Sequence, residues 1–363
     1  MAYNWQQTDW TNFQYDESLF EKLWIEFITI AGESEGFMKS SPQGIQEESI
    51  VNLLVNEAIK TSEIEGEFIS RIDLISSIRK NLGYPTESII IKDQRSLGIA
   101  NLLISSRENY VENLSEAMLF DWHKRLMQGN YSVEIGKWRT HSEPIQVVSG
   151  AMGREKVHFE APPSEILPKE MKQFFDWFNE SKITIKNPLI RSAVAHLYFE
   201  SIHPFEDGNG RIGRIIAEKT LSQTLNRPIL MSISKTIEAN KNGYYSALQK
   251  GQSSNEINDW IEYFSQVIID SQRDFNQTIL FSIKKAAFFY TNKSLLNDRQ
   301  QKVIKRMLEE GENEFVGGMN ARKYLVIAKT SKATATRDLG DLVEKGILTV
   351  KGGGRSVGYQ VNL

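Results

Sequence analysis

Ile202-His203-Pro204-Phe205-Glu206-Asp207-Gly208-Asn209-Gly210-Arg211-Ile212-Gly213-Arg214 joins two strongly helical segments, so it reads as a helix–loop–helix connection. Its residue types suit phosphate chemistry. Gly208 and Gly210 let the backbone turn tightly and bring its N–H groups close to an anion. The helix predicted to begin near Gly210 aims the positive end of its dipole at the same place. Arg211 and Arg214, three residues apart, share a helical face and offer two guanidinium forks. Asp207 is a hard oxygen ligand suited to Mg²⁺, which binds through one or two carboxylates plus substrate phosphates. His203, at the end of the preceding helix, is placed to act as a general base. A Walker A loop is excluded because no Gly-Lys-Ser/Thr follows the last glycine. An EF-hand loop fails at Arg211 and Ile212, where it needs an oxygen ligand and a glycine. Asp-Gly-Asn-Gly alone reads equally as a glycine-rich connection with surface arginines; His203 and Arg214 in register favour the phosphate site.

Working outward, the 363-residue chain is too long for one ordinary core and suggests two or three domains. Hydrophobic residues at 40% and charged residues at 25% describe a globular protein rather than a disordered one. The absence of cysteine excludes disulfide scaffolds, cysteine-ligated zinc, iron–sulfur clusters and thiol nucleophiles. Imidazole chemistry rests on His123, His141, His158, His196 and His203. No segment approaches the apolar length of a membrane helix, and Met1-Ala2-Tyr3-Asn4-Trp5 has no secretory pattern, so a cytoplasmic location without membrane contact is expected. The net charge of -3 is unevenly spread: residues 291–363 hold 13 Lys/Arg against 8 Asp/Glu. A basic tail on an acidic body suggests a separately employed domain.

The predicted organisation is mainly α. An aromatic-rich capping segment covers 1–44, with a helix over Ser18–Ile30 broken by Gly32, Gly36, Pro42 and Gly44. A core over 45–275 follows, with helices at 47–65, 68–80, 89–110 and 115–127, the last capped by Ser115. Residues 145–148 and 156–159 read as a β-hairpin, after which helices resume at 164–181, 187–201, 210–225 and 255–290. The stretch 276–290 is read as a connecting helix. Residues 291–363 show helices at 297–310, 320–329 and 333–345 and a final hairpin, a winged helix-turn-helix pattern.

The quoted stretch resembles the signature of the Fic family, His-Pro-Phe-x-Asp-Gly-Asn-Gly-Arg-x-x-Arg, and matches it at every specified position. The similarity extends from about Glu48 to Asp270. The hairpin resembles the family's flap, and Thr61-Ser62-Glu63-Ile64-Glu65-Gly66 fits its inhibitory motif, Ser/Thr-x-x-x-Glu-Gly/Asn. The resemblance implies a Fic-type helical core that moves AMP from ATP, with Mg²⁺, onto a Tyr, Thr or Ser hydroxyl of a target protein. His203 would deprotonate that hydroxyl, and Asp207 would hold the metal between the α- and β-phosphates. Backbone amides of Gly208, Asn209 and Gly210 would form an anion hole, with the Asn209 side chain on the α-phosphate. Arg211 and Arg214 would take the β- and γ-phosphates.

The implied nucleotide-binding set also includes Phe205 and Glu206, the flap residues Val157, His158 and Phe159, and Tyr244 and Tyr245 against the adenine. His158 as a partly exposed strand residue and the paired tyrosines as core are the plainer readings of those positions. The flap edge would hold an extended target segment by strand addition. Glu65, with Thr61 and Gly66, would pair with Arg214 and keep the γ-phosphate from its productive position. Some family members also use this glutamate to position water for AMP removal, so a bifunctional enzyme is an alternative. Another is a DNA-binding regulator that uses the core as a nucleotide sensor. The helix at 333–345 would then expose Thr334, Thr336 and Arg337, and Lys351 and Arg355 on the wing would meet phosphates. Protein contact through 291–363 is an equal reading, and DNA binding through so few phosphate contacts calls for a homodimer.

Overall fold

The computed structural model describes residues 3–85, 91–130, 133–141, 145–149, 156–310, 315, 317–352 and 357–363, with the backbone alone at 147–149, 156–158 and 310. The chain divides into two compact units, residues 1–35 with 46–275, and residues 36–45 with 276–363. It is mainly helical. In chain order the first elements are α1 (Glu21–Ser40), α2 (Gln43–Ile64), α3 (Arg71–Asn81), α4 (Gln94–Glu108) and α5 (Glu116–Leu126). The strands β1 (Gln146–Ser149) and β2 (Lys156–Glu160) follow, then α6 (Leu167–Thr184), α7 (Pro188–Ile202) and α8 (Asn209–Leu225). α9 (Ile233–Ala239), α10 (Lys241–Gly251) and α11 (Asn258–Asn292) come next. The last elements are α12 (Asp298–Met307), α13 (Ala321–Ala328), α14 (Lys332–Glu344), β3 (Leu348–Lys351) and β4 (Gly358–Val361).

In the larger unit α7 is the axis: every one of its residues is buried, as expected of a helix apolar on most sides. Asn187 caps it, accepting from the Leu189 amide at 3.0 Å, and Pro188 fills the first turn, where a missing N–H costs nothing. Ala195, Tyr198, Phe199 and Ile202 join one apolar cluster with α3, α4, α5 and α6. Leu189, Ile190, Ala193, Val194 and Leu197 join a second cluster with α9, α10 and α11. α8 runs back along α7, with the Ser192 hydroxyl donating to the Ala217 carbonyl at 3.0 Å. The six residues from His203 to Gly208 are therefore held between two buried helices.

The N-terminal segment packs into this unit. Trp10 and Phe13 meet Tyr198 edge-on at 5.3 and 5.5 Å, Tyr3 meets Phe159 at 5.0 Å, and the Trp5 indole donates to the Glu160 carbonyl at 2.7 Å. α1 extends past the expected stop at Ile30. Gly32 and Gly36 lie on its exposed face, while Phe27, Ala31, Ser34 and Met38 carry the buried spacing through them. Buried periodicity outweighs the roughly 1 kcal/mol that each glycine costs a helix. Two helices that the sequence pattern did not isolate, α9 and α10, start at the caps Ser232 and Asn240.

β1 and β2 pair antiparallel, with Val147 opposite Phe159 and Val148 opposite Val157. His158 is the extra residue of the resulting bulge. The smaller unit has its own core of Val303, Ile304, Met307, Tyr324, Leu339 and Leu342. α12 opens with a capping box at Asn297 and Gln300, and Asn320 and Ser331 cap α13 and α14. β3 and β4 pair antiparallel, Leu348 opposite Val361. Arg355 lies outside the described residues.

Candidate functional site

The loop between α7 and α8 is built by residues that brace its backbone. His203 takes the left-handed conformation, φ 50° and ψ 60°, uncommon for a residue with a side chain. Arg139 stabilises it: the guanidinium Nε donates to the His203 carbonyl at 2.9 Å, and the Arg139 amide donates to the Pro204 carbonyl at 3.0 Å. Gly208, at φ 84°, opens α8. His123 lies under the turn. Its Nδ1 accepts from the Gly136 amide at 2.9 Å, so Nε2 carries the proton and donates to the Asp207 carbonyl at 3.2 Å. Its ring stacks on Phe205 with centroids 4.1 Å apart, and burial pushes its pKa down to about 4. A neutral ring suits this supporting position.

Two of the expected nucleotide contacts have other work. Asn209 is almost wholly buried, and its amide clamps Phe205 at both ends: Oδ1 accepts from the Phe205 amide at 2.9 Å and Nδ2 donates to the Phe205 carbonyl at 2.8 Å. Its side chain fastens the loop backbone at Phe205. The Phe205 ring is wholly buried in the core. Their sequence positions could not distinguish a residue facing the ligand from one knotting the loop beneath it.

A cavity of about 760 Å³ opens beside the loop, lined by Glu65, Phe159, Glu200, His203, Glu206, Gly210, Arg214, Lys241, Tyr244 and Tyr245 among others. The His203 ring is largely buried and its pKa is pushed down to about 4, mainly by burial and further by the Arg139 charge. It is therefore neutral at physiological pH, the state a general base requires. Phe159 closes one wall; the side chains of Val157 and His158 lie outside the described residues. Tyr244 is buried, with its hydroxyl 2.7 Å from His196 Nε2, whereas Tyr245 is over a third exposed and offers its ring to the cavity. The Lys241 ammonium lies 5.7 Å from the Tyr245 ring centroid and donates to the Ile64 carbonyl at the end of α2. Glu206 accepts from the Glu134 amide at 3.2 Å, with His141 Nε2 3.3 Å from its other oxygen.

The end of α2 enters the same cavity. Arg214 Nη2 lies 2.8 Å from Glu65 Oε1 and 3.1 Å from the Thr61 carbonyl, while Nε donates to the Thr61 hydroxyl at 2.9 Å. Burial acts to raise the Glu65 pKa, but Arg214, with Arg211 and Lys241, outweighs it and holds the carboxyl below its ordinary value. A β-carbon on Gly210 would stand 2.5 Å from Glu65 Oε1, so this glycine is what lets the carboxylate rest against the start of α8. Gly66, at φ 78°, turns the chain immediately after.

Arg211 departs from the shared face expected with Arg214. It points to a second cavity of about 480 Å³ with Glu67, Arg95 and Met127, and pairs with Glu67 at 2.9 Å and Asp207 at 3.4 Å. Asp207 is about two-fifths exposed, and its Oδ1 accepts from the Gly208 amide at 2.6 Å. Among the described residues no group of three or more His, Asp or Glu side chains could hold a metal. A single exposed carboxylate fits Mg²⁺ only where phosphates complete its coordination.

Sequence reasoning missed Arg139 and Glu67, and gave His123 only as one of five imidazole candidates, without its place under the loop. His123 had a readable signal, since Leu119, Trp122 and Leu126 place it on the buried face of α5.

Residues 113–221 match the family model described as "Fic/DOC family", and residues 3–84 match a "Domain of unknown function (DUF4172)". The chain is similar to the protein adenylyltransferase fic-1 of Caenorhabditis elegans, 25% identical over 193 residues, which cover 52% of this chain and 34% of that protein. It is also similar to a probable protein adenylyltransferase of Aquifex aeolicus, 29% identical over 146 residues, covering 40% and 39%. The chain thus spans little more than a third of the length of either relative. Among solved structures, a Fic family protein from Desulfovibrio desulfuricans shares the fold at TM-score 0.53 and 18% identity, covering 97% of this chain and 98% of that one. Residues 134–508 of Fic-1 from C. elegans align at TM-score 0.53 and 19% identity, covering 74% and 75%.

Proposed function

We propose, for a chain that carries a Fic/DOC domain over residues 113–221, that it transfers AMP from ATP to a hydroxyl of a target protein and is held back by its own Glu65. One observation carries the reading: a neutral His203 and Gly210 at the start of α8 face one cavity whose arginine is held by a carboxylate from the same chain. In this reading the backbone N–H groups of Gly208–Gly210 and the α8 dipole bind the α-phosphate, which is mostly a matter of positioning and electrostatics. His203 accepts the hydroxyl proton. Tyr245 offers an aromatic face for the base, and Arg214 is the γ-phosphate partner once Glu65 leaves. Asp207 is the residue that would hold Mg²⁺, and the ion, when bound, neutralises charge on the phosphate oxygens. Phe159 and the flap backbone line the side from which an extended target segment would enter.

Incubation with ATP labelled at the α-phosphate should label protein, and ATP labelled at the γ-phosphate should not. Label from the γ-phosphate alone would make the chain a kinase and sink the reading.

A second reading concerns residues 291–363. Thr336 and Arg337 are exposed on α14, and the segment carries the basic surplus. We infer contact with a nucleic-acid backbone, tested by gel shifts of the full chain across salt concentration. Affinity that does not fall with salt would contradict it.

A further inference from the structure

Among the described residues three buried side-chain atoms near the back of His203 lack a close, well-aligned hydrogen bond: His203 Nδ1, Glu200 Oε1 and His196 Nδ1. The His203 ring also faces the Glu200 backbone, and the His196 ring the Gly213 backbone. Glu200 sits on α7, one turn before His203, and its Oε2 lies 3.8 Å from His203 Nδ1. Both groups line the 760 Å³ cavity. Gly213 faces them from α8. A β-carbon there would lie 2.3 Å from Glu200 Oε1 and 3.2 Å from His196 Nδ1, so this position must lack a side chain for the carboxyl to occupy its place. Buried polar groups are rarely left orphaned without a reason, and catalytic hydrogen bonds are often long before substrate is bound.

We propose that Glu200 is a positioning residue for His203, holding the ring proton on Nδ1 and leaving the Nε2 lone pair for the target hydroxyl. The proposal rests on the adenylyl-transfer reading. In that step the hydroxyl oxygen bonds to the α-phosphorus and its proton passes to His203 Nε2. The bond from the α-phosphorus to its bridging oxygen breaks, and pyrophosphate leaves with that electron pair. The imidazolium so formed presents its Nδ1–H to Glu200, whose oxygen accepts it.

The surroundings fit this role. Burial pushes the Glu200 pKa up to about 8, the nearby Arg214 opposes the rise and Glu65 adds to it. Among the described residues His196, Tyr244, Tyr245 and His203 are further titratable groups at this place. Near neutral pH the carboxyl is protonated, so its carbonyl oxygen can accept from Nδ1–H while adding no charge that would fix the proton on the ring. Above pH 8 it ionises and makes His203 a stronger base.

The test uses the full chain in a Glu65→Gly background, with Glu200→Gln and Glu200→Ala added singly. Nitrogen-15 spectra of the histidine rings, with His203 identified by its loss in His203→Ala, should show the Nδ1-protonated form in the parent and in Glu200→Gln. Glu200→Ala should show a mixture of tautomers. Its kcat should fall about 10-fold with KM for ATP unchanged, in the lower range for loss of a supporting hydrogen bond. In the parent kcat should climb as pH passes 8, and in Glu200→Gln it should stay level there, a comparison that stands even if Glu200→Ala fails to fold. Identical ring spectra, or identical pH profiles in parent and Glu200→Gln, would overturn the proposal. A parent that transfers no AMP at any pH would defeat the transfer reading instead, and the ring spectra would still decide what Glu200 does to His203.

Discussion

Glu67 Oε2 lies 2.9 Å from Arg211 Nη1, two residues beyond the Glu65 carboxylate that holds Arg214 at 2.8 Å. A single turn around Gly66 thus engages both arginines of the loop motif, each from a different cavity. A charge-assisted hydrogen bond contributes about 1.5–3 kcal/mol, which corresponds to roughly 10- to 100-fold in an equilibrium. Glu65→Gly should therefore raise incorporation of α-labelled AMP by about that factor. Glu67→Gln should raise it less, because Arg211 keeps Asp207 as a partner. The double variant should exceed either single one. Equal incorporation by all four proteins would remove the two-point brake.

Gly66 offers an independent route to the same release. Its φ of 78° is open to glycine and strained for other residues, although among the described residues nothing lies within 4 Å of where a β-carbon would be. Gly66→Ala should cost roughly 1 kcal/mol through the backbone alone. The measurable result is a thermal midpoint lowered by a few degrees together with raised AMP incorporation. A lowered midpoint without added activity would mean that the turn can relax without freeing Arg214.

His203→Ala tests the other side of the site. General-base catalysis contributes about 10²–10⁴-fold, so transfer should fall by that range. ATP affinity, measured by calorimetry, should change little, because in the proposed mode the anion contacts come from the start of α8 and from Arg214.

The reach of the sequence differed from one part of this site to another. Between His203 and Arg214 the residue types are dictated by backbone conformation and anion chemistry, both local, so the loop was legible with its flanking helices. The Ser115 cap and the hairpin were legible for the same reason. What escaped depends on which side of the loop a side chain faces. Asn209 turns inward to Phe205, and nothing in Asp-Gly-Asn-Gly distinguishes that from turning outward. Arg139 and Glu67 reach the site from 64 and 144 residues away. At Gly32 and Gly36 the composition of two exposed positions signals a break, but the buried spacing that runs past them carries the helix on.

Buried neutral histidines give a definite pH dependence of stability. His123 and His203 are held down to about 4 and His196 to about 3, in each case chiefly by burial. In the unfolded chain each titrates near 6.5, so below that pH the unfolded state binds more protons than the folded one. Stability is then fully present above about 6.5 and is lost as pH falls toward the folded values. Each ring contributes up to about 1.4 kcal/mol per pH unit across that window. Urea unfolding at pH 7, 6 and 5 should show a steep loss, and His203→Ala should show a shallower one. Equal slopes would mean that His203 is not held neutral in the folded state.

Arg139 is where the strain at His203 should be released. Its guanidinium donates to the carbonyls of His203, Ile202 and Pro162, and the Ile202 contact is long at 3.5 Å. A lysine in its place brings one ammonium with three donors on a single nitrogen, and it cannot span carbonyls that lie apart. Without the staple, the left-handed conformation at His203, which costs about 1–2 kcal/mol relative to an ordinary helix end, has less to hold it. The loop can then relax and swing the ring out of line with the start of α8. Arg139→Lys should therefore lower kcat by at least 10-fold, because misplacing a reacting group by about 1 Å costs roughly 100-fold. KM for ATP should remain near that of the parent, since Arg139 is not among the cavity-lining residues. A fall in ATP affinity with kcat preserved would show instead that Arg139 shapes the nucleotide pocket and leaves the ring where it is.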